Sequence, residues 1–126
     1  MTGTTKIRLK IQLMCGDEIA MGPGKADLLD AIRVHGSISA AGRAMTMSYR
    51  RAWMLVDVMN RCWHEPLVAT SPGSSHGGGA RVTALGETVL ADYRALQARL
   101  NLASDCPAHA ALAAAMRPEP RASQKA

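Results

Sequence analysis

The sequence predicts a mainly α fold with a small β component: a winged helix-turn-helix with a long C-terminal dimerisation helix. Three observations predict it. Two helical stretches, 38–45 and 49–63, are separated by only a few residues; a glycine-rich hairpin follows at 67–83; and an apolar seam then runs from Leu85 to Leu100.

From Lys6 to Leu13 the chain alternates strictly, with Ile7, Leu9, Ile11 and Leu13 on one face and Lys6, Arg8, Lys10 and Gln12 on the other. That period of two predicts a half-buried strand. Gly16 and Gly22-Pro23-Gly24 interrupt the chain, and from Lys25 the positions Leu28, Leu29 and Ile32, with Ala31, recur at helical spacing until Gly36. Ser37 and Ser39 are cap candidates for the short helix that ends at Met45. Its small residues predict close packing on another helix.

Ser48 is the cap candidate for the next helix, Tyr49 to Trp63, in which Ala52, Val56, Met59 and Trp63 form an inward stripe. The line Arg50, Met54, Asp57, Arg61 faces outward. Trp53 and Trp63 read as core rather than as base-stacking side chains, since a reader of double-stranded nucleic acid uses its aromatics for packing. Leu67 to Thr70 and Ala80 to Thr83 are extended, joined by the Gly/Ser-rich stretch 71–79. In the last helix Leu85, Val89, Tyr93, Leu96 and Leu100 make a seam longer than one small domain covers. Two regions result: residues 1–102 as a DNA-binding and dimerisation domain, and 103–126 as an Ala/Pro-containing flexible tail. In the tail, Ala108–Met116 has the composition for a turn or two of helix before Pro118 and Pro120 stop it.

Charge indicates the partner. Fifteen Lys and Arg against ten Asp and Glu give a net +5, and a pI near 9.6 favours a polyanion. Between Asp30 and Asp57 the chain has no acidic residue but carries Arg33, Arg43, Arg50 and Arg51. The predicted groove-facing region is therefore cationic. Ser48, Tyr49, Arg50 and Arg51 combine hydroxyl donors with two guanidinium forks at a helix start, suited to phosphates and to guanine edges. The expected DNA-binding set is Ser37, Ser39, Arg43, Ser48, Tyr49, Arg50, Arg51 and Met54, with His76 and Arg81 from the hairpin. The expected dimer interface is Ile7, Leu9 and Ile11 with Leu85, Val89, Tyr93, Leu96 and Leu100. The partners are then double-stranded DNA and a second copy of the chain.

Other classes find little support in the residues. No run approaches 18 uninterrupted apolar residues and no secretory leader opens the chain, so a cytoplasmic protein without a membrane partner is expected. Cys15, Cys62 and Cys106 have no paired spacing and read as reduced thiols. The glycines at 73–79 lack the Gly-Lys-Ser/Thr ending of a phosphate-binding loop and precede a strand, which argues against nucleotide hydrolysis. His35, His64, His76 and His109 have no ligand-spaced mate, and Cys106 with His109 is one isolated pair; no metal, cofactor or catalytic residue is expected. One rival is an interaction module that keeps the fold but docks a protein through the hairpin or the tail. A second, a small metal-dependent enzyme using Cys106, His109 and His64, lacks ligand spacing and a paired acid and base.

The blocks Gly36-Ser37-Ile38-Ser39-Ala40-Ala41, Met47-Ser48-Tyr49-Arg50-Arg51-Ala52-Trp53, Met59-Asn60, Pro66-Leu67-Val68, Gly77-Gly78-Gly79-Ala80 and Leu85-Gly86 carry a resemblance. From Ile7 to Leu100 the chain resembles the N-terminal domain of the ModE family of molybdate-responsive transcription regulators, related there to LysR-type winged helices. The resemblance implies a homodimer joined through the first strand and the last long helix, with the Tyr49–Trp63 helix in successive major grooves of a palindromic operator. It also implies control of molybdate transport or molybdoenzyme genes. Members that sense molybdate use additional C-terminal domains, for which residues 101–126 are too few; the expectation is that effector control comes from another chain, such as a separate molybdate-binding protein, or is absent. The hairpin departs from the family in carrying His76 where basic residues are common.

Overall fold

In the computed structural model, residues 7–71, 79–103 and 105–125 are described. Their order is β1 (Leu13–Cys15), β2 (Glu18–Met21), α1 (Pro23–His35), α2 (Ile38–Ala44), α3 (Tyr49–Cys62), β3 (Val68–Ser71), β4 (Gly79–Val82), α4 (Ala84–Ala103) and α5 (Pro107–Ala115). The strands form two separate antiparallel pairs, β1 with β2 and β3 with β4.

The expected fold class is corrected by this architecture. Instead of a winged helix-turn-helix closed by a long C-terminal dimerisation helix, the described residues form a mainly helical unit with two small, separate antiparallel sheets, and a further helix follows α4. The first strand is likewise corrected. Residues 7–12 have the alternation of a strand but no strand, because a strand exists only where a second backbone satisfies its N–H and C=O groups. Pairing begins at Leu13, opposite Met21, and closes over the turn at Gly16, whose φ of +59° is a conformation open to glycine. Segment 7–12 is held instead by a side chain: the Tyr93 hydroxyl donates to the Ile11 carbonyl at 2.7 Å. In the tail, α5 spans nine residues, none of them buried.

The helices start and stop where local chemistry directs. Pro23 opens α1 and Gly36, at φ +75°, closes it with its N–H on the Ile32 carbonyl at 2.8 Å. Ser37 caps α2, its Oγ accepting from Ala40 N at 3.0 Å, and Ser48 caps α3, accepting from Arg51 N at 3.1 Å. Ser39 lies within α2. Where α2 meets α3, Gly42 allows the approach: a Cβ there would stand 3.2 Å from the Ala52 Cβ. The core joins Leu28, Leu29 and Ile32 of α1, Ala52, Val56 and Met59 of α3, and Val89, Leu90 and Tyr93 of α4, with Met21, Leu67 and Val68.

Two polar clamps hold the β3–β4 pair to this core. Asn60 Oδ1 accepts from Leu67 N and Val68 N at 2.9 and 3.1 Å, and its Nδ2 donates to the Val68 carbonyl at 3.1 Å. Thr83 Oγ1 donates to the Pro66 carbonyl at 2.8 Å and accepts from Gly86 N at 3.0 Å. Ion pairs join α1 to α4: Arg94 reaches Asp27 at 2.9 Å and Asp30 at 2.8 Å, and Arg33 reaches Glu87 at 3.1 Å.

Candidate nucleic-acid interface

The start of α3 presents cations with no acidic residue in its first two turns. Its inward residues Ala52, Val56 and Met59 are buried, so the helix must turn Tyr49, Arg50, Arg51, Trp53, Met54 and Asp57 to solvent. Arg50 and Met54 line two open hollows at once. One, of 410 Å³, is shared with Tyr49, Trp53 and Asp57; the other, of 270 Å³, with Ser48, Arg51, Leu55 and Val58. Five of the expected site residues, Ser48, Tyr49, Arg50, Arg51 and Met54, are thus brought together.

The electrostatics sort the arginines into two kinds. Arg33, expected in the cationic region, is corrected: it is bound by Glu87 and lies 3.8 Å from Asp30. Arg61 donates to Asp57 at 2.9 Å, a hydrogen bond that holds its pKa above the ordinary value, and it reaches Glu18 at 3.9 Å. Asp57, the carboxylate beside the first hollow, is thereby occupied. Arg43, Arg50, Arg51 and Arg81 are exposed and have no carboxylate within salt-bridge distance among the described residues. Half-buried Lys25 has its pKa lowered, first by desolvation and least by the positive charge of Arg51; Cys62 and Glu18 oppose the shift.

The serines have a specific capacity left over. Ser37 Oγ and Ser48 Oγ are used as acceptors at their caps, which leaves each hydroxyl proton to donate outward. Arg43 lies in the last turn of α2, and Arg81 sits on β4 beyond the lining of either hollow. His76 lies outside the described residues.

Trp53 was expected in the core and is not there: it is 43% exposed, beside Tyr49 at 54% and Met54 at 58%. Its four-residue spacing from both Tyr49 and Asp57 was the available signal, since it places all three on one line. Trp63 is half-buried and donates from Nε1 to the Ala20 carbonyl at 3.1 Å. The roles of Asn60 and Thr83 as backbone clamps could not be read beforehand, because their partners are chosen by packing.

The residues expected at a dimer interface fall into two groups. Val89 and Tyr93 are buried in the chain's own core, and burial holds the Tyr93 phenol above its usual pKa. Ile7, Ile11, Leu85 and Leu100 are half-buried, and Leu9 and Leu96 are exposed. Leu13, Trp63, Val89, Asp92, Tyr93 and Leu96 line a notch of 140 Å³. No group of three or more His, Cys, Asp or Glu able to hold a metal occurs among the described residues, so Cys106, His109 and His64 do not assemble into one. No helix among them is long and apolar enough to cross a membrane.

Comparison with known proteins places the chain beside molybdenum proteins. It is 39% identical over 83 residues to the molybdenum-pterin-binding protein MopA of Rhodobacter capsulatus, covering 66% of this chain and 31% of that protein. It is 38% identical over 86 residues to the molybdenum transport protein ModE of Azotobacter vinelandii, covering 68% and 32%. To the DNA-binding transcriptional dual regulator ModE of Escherichia coli K12 it is 31% identical over 87 residues, covering 69% and 32%. The chain thus matches about a third of the length of these relatives. No protein-family model matches it.

Proposed function

We propose that this chain is a sequence-specific, double-stranded-DNA-binding transcription regulator of molybdate transport or molybdoenzyme genes, acting as a homodimer. The first turns of α3 meet the DNA: Arg50 and Arg51 supply guanidinium forks, Ser48 and Tyr49 hydroxyl donors, and Met54 an apolar contact. The matched third of the ModE relatives is, on this reading, a part that binds DNA. Neither hollow on α3 is assigned an oxyanion, because an oxyanion needs a ring of converging donors and both hollows are open.

One observation carries the reading: among the described residues Arg50 and Arg51 are exposed and have no carboxylate within salt-bridge distance, while Arg33, Arg61 and Arg94 are all neutralised within the chain. Two adjacent guanidinium groups left uncompensated on a helix are available to an external anion. The test is a salt-titrated binding assay on genomic fragments. A steep loss of affinity with salt together with one preferred palindrome is expected; salt-independent binding, or equal affinity for all fragments, would sink the proposal. Light scattering tests the dimer: a dimer at micromolar protein is expected, dissociated by Leu96→Asp.

The exposed Tyr49, Trp53 and Met54 favour a second reading, an apolar protein segment docked on the same helix face. Under that reading Trp53→Ala abolishes partner binding while Arg50→Ala spares it.

A further inference from the structure

Cys15 and Cys62 stand 47 positions apart in sequence, yet the fold sets the strand pair that carries Cys15 against the helix end that carries Cys62. Cys15 ends β1, where its register partner is Glu18 of β2. Glu18 is reached by Arg61 Nη2 at 3.9 Å, and the Trp63 Nε1 donates to Ala20 of β2 at 3.1 Å. The two neighbours of Cys62 in sequence are thus both tied to the strand that pairs with Cys15, which sets Cys62 between them on the β1–β2 side of the helix end. Neither cysteine serves the α3 surface described above, since Cys62 is the last residue of that helix.

We propose that Cys15 and Cys62 are a peroxide-oxidisable thiol pair that closes an intrachain disulfide, fastening the β1–β2 hairpin to the C-terminal end of α3. Cys15 is exposed and Cys62 is partly covered, so the two have different tasks. The Cys15 thiolate attacks a peroxide oxygen; the O–O bond breaks, a sulfenic acid forms, and the departing hydroxide takes a proton to become water. The Cys62 sulfur then attacks the sulfenic sulfur; the S–O bond breaks, the S–S bond forms, and the second water leaves with the Cys62 proton. Two thiols lose two electrons and two protons, and one peroxide becomes two waters. Burial first, and then the Cys15 thiol, push the Cys62 pKa up, so Cys62 stays protonated until it is called on as the resolving thiol. Cys106, exposed ahead of α5, is an internal control.

The experiment treats the reduced full chain with hydrogen peroxide at low protein concentration and follows intact mass, free thiols and tryptic peptides. The expected result is a loss of two hydrogen masses, a fall in free thiols from three to one, and peptide 11–25 linked to peptide 62–81, all reversed by dithiothreitol. Cys106→Ser should preserve the linkage. Cys15→Ser, at an exposed position that does not hold the fold, should abolish it, as should Cys62→Ser. Linkage through Cys106, disulfides between chains, or oxygen addition to Cys15 without a crosslink would each overturn the proposal.

Discussion

Arg94 on α4 donates to Asp30 at 2.8 Å and to Asp27 at 2.9 Å, whereas Arg50 and Arg51 at the start of α3 have no carboxylate in reach among the described residues. Both are arginines on well-formed helices with polar exposure, and the difference lies in what their neighbours supply. On the α1–α4 side, Asp27 and Asp30 stand three apart on one helix face and converge on a single guanidinium, raising the Arg94 pKa chiefly through the hydrogen bond to Asp30. On the α2–α3 side the chain provides no acid between Asp30 and Asp57, and Asp57 is taken by Arg61. The first surface is closed on itself; the second is open to an external anion.

The largest expected effect breaks the scaffold under both surfaces. A Cβ at Gly86 would collide with the Leu67 carbonyl oxygen and stand 2.6 Å from the Val82 Cγ1, and the carbonyl belongs to backbone that the Asn60 clamp holds. Gly86→Ala should cost about 3 kcal/mol in a urea melt, by overpacking that cannot relax. A melt within a few tenths of the parent's would show that α4 can move away from β3.

Next come the open arginines, where binding and folding should separate. Arg50→Ala and Arg51→Ala should each lose about 1 to 3 kcal/mol of discrimination if they read guanine, while changing stability by no more than about 0.5 kcal/mol. A phosphate contact would instead weaken all sequences alike and flatten the salt slope by about one unit. Arg99→Ala, late on α4, is the charge-matched control; equal weakening in all three variants would mean that only net charge matters.

Tyr93→Phe sharpens the comparison from the closed side. It removes the 2.7 Å donation to Ile11 and should cost about 1 kcal/mol. Because burial raises the Tyr93 pKa, the folded chain holds the phenolic proton more firmly than the unfolded chain. The resulting stability is full below the ordinary tyrosine range and is lost as pH rises through the higher folded value. Denaturation across alkaline pH should show this loss in the parent and a flatter profile in Tyr93→Phe.

The smallest effect belongs to Arg94→Leu. Its side chain is 38% exposed and its partners more so, and such pairs contribute about 1 kcal/mol or less. The cost should shrink further in high salt, as measured by melts at two ionic strengths.

The helices were legible in the sequence because their determinants lie within a few residues of one another. Pro23 and Gly36 bound α1, Ser37 and Ser48 sit one residue before α2 and α3, and the stripe Ala52, Val56, Met59 names the buried side of α3. The absence of acids from Asp30 to Asp57 was legible in the same way, as was the outward line Arg50, Met54, Asp57, Arg61. Tertiary structure alone decided the rest. Whether alternating residues become a strand depends on a distant backbone, so Ile7 to Gln12 stayed unpaired while Leu13–Cys15 found Glu18–Met21. Which arginines are neutralised depends on which helix crosses them, so Arg33 met Glu87 and Arg51 met no acid among the described residues. Period and cap chemistry act over one turn of chain; pairing, ion-pair choice and the approach of β2 to the end of α3 act across space, and only the packed core brings those groups together.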